Sequence, residues 1–207
     1  MKHASRGWKR VGPARVALAL AVALAVAAPL AGAAADEPVM YGETIPLLGE
    51  VPSGQAGQNV DILAREYGQK GFGRIASVTT KSGGRWRFVA KPRILTTYVA
   101  TTTGSLTSQV EIHVSPALTL HLRHGILTVA AKTLNTLRGR YVIVQVRRRG
   151  GPWHGVRKIV LGTGARASVP FQAPFGRSEI RTFMPASQVG KGYDPGYSGI
   201  LVFLNSA

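Results

Sequence analysis

The sequence contains no cysteine. That excludes disulfide stapling, a lipid-bearing cysteine, thiolate or iron–sulfur ligation and a thiol nucleophile. Acidic residues are scarce too, 9 among 207, and none stand at a spacing that suggests a paired-carboxylate site. There is no Gly-x-Ser-x-Gly elbow. Beyond the N-terminal segment no stretch keeps a 3.6-residue apolar period for more than two turns, so helix should be close to absent. These absences leave a non-enzymatic chain that needs no cofactor and is held together by apolar burial alone.

What is present begins with an export signal. Lys2, Arg6, Lys9, Arg10 and Arg15 precede an apolar run at 16–30, and small residues crowd positions 31–35. This is the anatomy of a signal peptide, a short N-terminal helix at 1–35 cleaved after Ala33 or Ala35. Positions 16–35 are also long enough to span a bilayer as an uncleaved anchor, but the alanine-rich exit favours cleavage. The product is expected to be secreted, and to touch a membrane only if the leader is retained.

The remainder states one pattern twice. Gly57-Gln58-Asn59-Val60-Asp61-Ile62 opens one block and Gly139-Arg140-Tyr141-Val142-Ile143-Val144 the next, with Phe72 and then Trp153 following at matching distance. Period-two alternation runs through both: Val60, Ile62 and Ala64; Trp86, Phe88 and Ala90; Leu118, Leu120 and Leu122; Val142, Val144 and Val146. Such alternation is the mark of sheets with one buried face, and β-branched runs such as Thr101-Thr102-Thr103 suit a pleated surface. Glycine- and proline-rich turns recur about every ten residues, the spacing of a sandwich. The organisation predicted is all-β, two tandem antiparallel β-sandwiches at 36–115 and 116–207, meeting tightly at Pro116, which cannot donate to a ladder. One irregularity also repeats. Phe72, Ile75 and Val78, like Trp153, Val156 and Ile159, are spaced by three. A short helix would explain this, but the flanking glycines favour a β-bulge that keeps all three near the core. Trp86 and Phe88 share parity and are expected to be buried.

With these residues in hand, the chain resembles the immunoglobulin-like, fibronectin-III-like modules that occur in tandem in bacterial secreted proteins. The likeness covers about residues 40–204 and rests on several shared segments. They are the Gly-x-x-Val strands, the Gly-aromatic loops (Gly71-Phe72; Gly151-Pro152-Trp153), the glycine-led Gly84-Arg85-Trp86-Arg87-Phe88 and the segment from Pro92 to Tyr98. The second module departs where Ala167 and Val169 replace Trp86 and Phe88, and where about nine residues are inserted around 190–196. The resemblance implies a stalk, spacer or adhesive module at the cell envelope. Similar modules accompany cysteine-dependent cell-wall transpeptidases, and no such enzyme part is present here.

Charge is the one feature with functional reach. Of 26 Lys and Arg, 13 fall in 116–207 against 2 acids, so nearly all of the mature chain's positive charge sits in the second module. Arg147-Arg148-Arg149 ends a strand, Gly150-Gly151-Pro152 turns, and His154, Arg157 and Lys158 return. A turn at 149–152 sets Arg157 beside Val144 and Lys158 beside Ile143. Arg140 and Arg147 are assigned the outward parity, opposite the valine row. Arg140, Arg147, Arg149, Arg157 and Lys158 thus form a candidate polyanion site, with Tyr193 and Tyr197 of the inserted loop as candidate ligand-facing aromatics. Its partners would be anionic cell-wall polymers or acidic glycans, not a specific nucleic acid sequence. The competing reading is a charged strand edge that blocks aggregation. His121 and His124 would face opposite ways on a strand, and Asp194 has no acidic neighbour, so no metal site is expected.

Overall fold

The computed structural model describes residues 37–102, 105–148 and 150–205, with backbone only at 105–108. The expected leader at 1–35 and Arg149 lie outside the described residues. Sixteen strands carry almost all the regular structure. They are β1 Val39–Met40, β2 Ile45–Glu50, β3 Asn59–Glu66, β4 Gly73–Thr79, β5 Arg85–Ala90, β6 Thr96–Thr102, β7 Ser105–Ile112 and β8 Val114–Ser115. Then follow β9 Ala117–Arg123, β10 Ile126–Lys132, β11 Tyr141–Arg148, β12 His154–Val160, β13 Arg166–Pro170, β14 Gly176–Met184, β15 Gly196–Tyr197 and β16 Leu201–Asn205. The only α-helix among the described residues is the single turn α1, Ala186–Val189.

Two sandwiches result. In the first, the pair β2-β5 faces the sheet β4-β3-β6-β7. In the second, β13-β10-β9 faces β12-β11-β14, which is extended by β15 and β16 along β14. The alternation decides which side chains meet between the sheets. Leu47, Val60, Ile62, Trp86, Tyr98 and Ile112 fill the first core. Leu120, Leu127, Val129, Val142, Val144, Ile159 and Ile180 fill the second. Trp86 is 4% exposed. A Cβ at Gly49 would lie 2.6 Å from its Cε2, so only glycine lets the indole cross that strand. In the second module Ala167 and Val169 occupy the equivalent strand half-buried, and Phe171 and Phe203 pack against the core instead.

The duplication extends to irregularities. The β3–β4 ladder slips after Ile62 and the β11–β12 ladder slips after Val144, leaving Ile75 and Val156 without cross-strand partners. A 3₁₀ turn precedes β5 at Ser82–Gly84 and β13 at Thr163–Ala165, each with a left-handed glycine, Gly83 (φ 75) and Gly164 (φ 66). The bulges fall where spacing by three predicted them, but their consequence is the reverse of the expectation. An unpaired bulge residue rotates the strand, so Ile75 and Val156 turn to solvent together with Phe72, and only Val78 and Ile159 return to the inner side.

The modules are locked by the inserted segment. β8 and β9 are separated by Pro116 alone. Gly196 packs so closely on the Pro116 ring that a Cβ there would lie 2.7 Å from Cγ. Gly192, at φ +78, brings its backbone against Ile94 and Tyr67 of the first module, and its carbonyl accepts the Leu95 N–H at 2.9 Å. The Asp194 N–H donates to the Val114 carbonyl at 3.0 Å. Tyr193 is the centre of this contact. It is 7% exposed; its hydroxyl donates to the Arg93 carbonyl at 2.6 Å and accepts the Leu134 N–H at 2.9 Å. Expected as a ligand-facing aromatic, Tyr193 is instead a bridge between modules, because a long insertion beside the junction buries more area against the neighbour than in water. Asp194 adds a 3.0 Å contact to His113, whose other ring nitrogen lies 3.4 Å from Glu111.

Replacing Trp86 by Ala should lower the unfolding free energy of the first module by ~3–5 kcal/mol, measured by urea denaturation. Gly49→Ala should cost ~1–3 kcal/mol through overlap with the same ring. Burial, reinforced by the charge of Glu66 and partly offset by the Thr96 side chain, pushes the Tyr98 phenol up to about 12. Its neutral form is therefore favoured by folding. That stability is complete below the unfolded value of about 10 and should be lost as pH rises from there to about 12, a slope that Tyr98→Phe flattens.

Candidate functional site: the outer face of the second module

Along β11 the valines point inward and Tyr141, Ile143, Gln145 and Arg147 point outward. On β14 Ser178, Ile180 and Thr182 point inward and Glu179, Arg181 and Phe183 outward. Register places Ile143 beside Phe183, Gln145 beside Arg181 and Arg147 beside Glu179. Phe183 in turn faces Tyr197 of β15, and their rings stack with centroids 4.8 Å apart.

A ladder of cations and rings covers this face. The Arg147 guanidinium lies 4.6 Å from the centroid of Trp153, and that of Arg181 lies 4.2 Å from Trp153 and 4.1 Å from Tyr197. The Arg181 Nε–H also donates to Gln145 Oε1 at 2.8 Å. Arg147 donates through Nε to the Glu179 carboxylate at 2.5 Å, in a half-buried ion pair. Burial pulls the Arg181 pKa below its ordinary value, with Arg147 contributing in the same direction and Tyr197 opposing it. The first module carries the equivalent of the outermost rung: Arg65 stands 4.7 Å over Phe72. Trp153 is thus not a core residue, as its match to Phe72 suggested; both rings lie outside, under arginines.

The candidate hairpin residues do not converge. Lys158 pairs with Ile143 and Arg157 with Val144, the register that a turn at 149–152 predicts. Opposite parities then send them apart. The Lys158 ammonium lies 3.7 Å over the Tyr141 ring on the outer face. Arg157 reaches from the strand edge toward the other sheet, where Nη1–H donates to the Pro170 carbonyl. Arg147 is engaged by Glu179 and Trp153. Arg140 requires a correction: it precedes β11 in the turn, at an even position like the inward valines, and is exposed there. Its backbone, not its side chain, is tied, to Leu137 and Leu161. Tyr197, 48% exposed, lies on the ladder face, while Tyr193 lies at the junction.

Sequence reading missed Arg181 and Glu179. Their signal was available in the alternation of 177–183, but only strand pairing reveals that they border Arg147. Asp194 sits at the junction end of the second module and His154 begins β12 at the other. His121 faces outward from β9, while His124 occupies the following turn at φ 47.

The paired sheets define the class: an all-β protein of two antiparallel β-sandwiches. No family model matches the chain, and no curated protein matches it. Among solved structures it is similar to the chicken interferon gamma receptor alpha chain, at 9% identity over 82% of this chain and 95% of that one, with a TM-score of 0.42. It is also similar to the FN1–FN3 domains of chicken CNTN1, at 11% identity over 87% of this chain and 69% of that one, with a TM-score of 0.29.

Removing Arg181 separates the two rings it joins. Arg181→Ala should destabilise the second module by ~1–2 kcal/mol, from two cation–π contacts and one hydrogen bond. It should also raise acrylamide quenching of Trp153 fluorescence while the buried Trp86 stays protected.

Proposed function

We propose that this chain is a secreted, non-enzymatic spacer of the bacterial cell envelope, which holds its second module at a fixed angle to the first so that an adhesive surface is presented away from the point of attachment. The observation that carries this reading is the clamp of 190–196, with Tyr193 hydrogen-bonded to both modules and Gly192 seated against Ile94 and Tyr67. A chain whose modules act independently has no need of such an insertion, since Pro116 alone would join them. The export-signal pattern expected at 1–35 agrees with an extracytoplasmic role.

The alternative, a polyanion- or glycan-binding hairpin, is less well supported. Arg147, Arg157 and Lys158 each have a partner inside the molecule. The flat rings that would stack on a sugar, Trp153 and Tyr197, already carry a guanidinium.

Gly192→Val introduces a Cβ 2.8 Å from Ile94 and Tyr67 at a left-handed backbone position. It should broaden the distance distribution in small-angle scattering and accelerate proteolysis around 113–117, with the far-ultraviolet circular dichroism of the sandwiches retained. An unchanged scattering profile would reject the rigid-spacer reading.

A further inference from the structure

The end of the second module farthest from the junction combines exposed apolar and cationic groups in a way the spacer role does not require. Residues 170–174 border the turn after β9 and the end of β16 on one side and residues 151–156 on the other. Phe175 is 64% exposed and Leu204 76%, and the exposed bulge residue Val156 lines one surface cleft with Pro174. Register sets Leu204 opposite Arg177. Arg123, Arg148 and Arg177 are exposed at this end. The module's two carboxylates are committed elsewhere, Glu179 to Arg147 and Asp194 to His113 at the junction, so among the described residues nothing neutralises these arginines.

From this juxtaposition we propose that the far end of the second module docks on the surface of an anionic lipid bilayer. A soluble polyanion would satisfy the arginines and leave Phe175 and Leu204 in water. A bilayer interface answers both demands: phosphates take the guanidiniums while the acyl boundary takes the apolar side chains. Charge complementarity is one-sided here, since among the described residues the charged side chains exposed at the tip are Arg123, Arg148 and Arg177. The inference deepens the spacer reading by naming what the outer module touches, but it does not require the clamp.

The test is co-sedimentation of the purified whole chain with vesicles of phosphatidylglycerol and phosphatidylcholine, against vesicles of phosphatidylcholine alone. Binding should need phosphatidylglycerol and should fall as salt rises. Phe175→Ser and Leu204→Ser should each weaken it roughly tenfold, and Arg148→Glu combined with Arg177→Glu should abolish it. All four positions are exposed, so thermal unfolding of the variants should match that of the parent. Failure of the parent to bind, or equal binding by the serine variants, overturns the proposal. Attachment through the N-terminal apolar segment alone would persist in every variant and on neutral vesicles. Full competition by soluble polyphosphate, with the serine variants unaffected, would assign the surface to an anionic polymer instead and likewise overturn it. Gly192→Val should still bind vesicles; loosened scattering with retained binding separates the fate of this proposal from that of the spacer.

Discussion

Each module is held shut by apolar side chains meeting between two sheets, and every other feature depends on that contact. Without disulfides, a domain of this size has little other means of offsetting the entropy of ordering its chain. Val60, Ile62, Val142 and Val144 are therefore wholly inside, and the strands carrying them cannot slip by one residue without exposing the whole row. Because the inner rows are committed to burial, the outer rows are freer to differ, and there the two modules diverge in charge and in aromatic contacts.

The divergence follows from one arrangement used twice. A bulge after the second inward residue of the strand (Ile62, Val144) turns the following loop outward and lays an aromatic beneath an arginine from the same hairpin. In the first module the pair Arg65–Phe72 stands with one rung. In the second, Arg181 and Tyr197 extend it across two further strands, so that the face becomes a continuous ladder of rings and guanidiniums. The insertion that supplies Tyr197 at one end supplies Tyr193 and Gly192 at the other, joining outer-face order to the junction through a single short segment. At the far tip, arginines and apolar residues are exposed together, with no internal partner for those arginines among the described residues.

Alternation, turn spacing and the near-constant offset between repeats made the all-β class, the duplicated sandwiches, the bulges and the β11–β12 register legible in the sequence, because these depend on neighbours a few residues away. The same local logic misled where the outcome depended on distant surfaces. Phe72 and Trp153 were read as core because they were apolar and repeated, yet a bulge reverses facing without changing composition. The basic hairpin was read as one cluster because its cations are close along the chain, yet parity sends Lys158 and Arg157 to different sides.

What the sequence determined by itself is therefore the layered, disulfide-free scaffold and its duplication, since periodic burial is written into each strand. Which arginines are engaged, that Tyr193 belongs to the junction and that Arg181 completes the ladder were decided only in three dimensions. Those contacts join residues as many as 100 positions apart, and no local pattern encodes which partner a long side chain will meet once the sheets have closed.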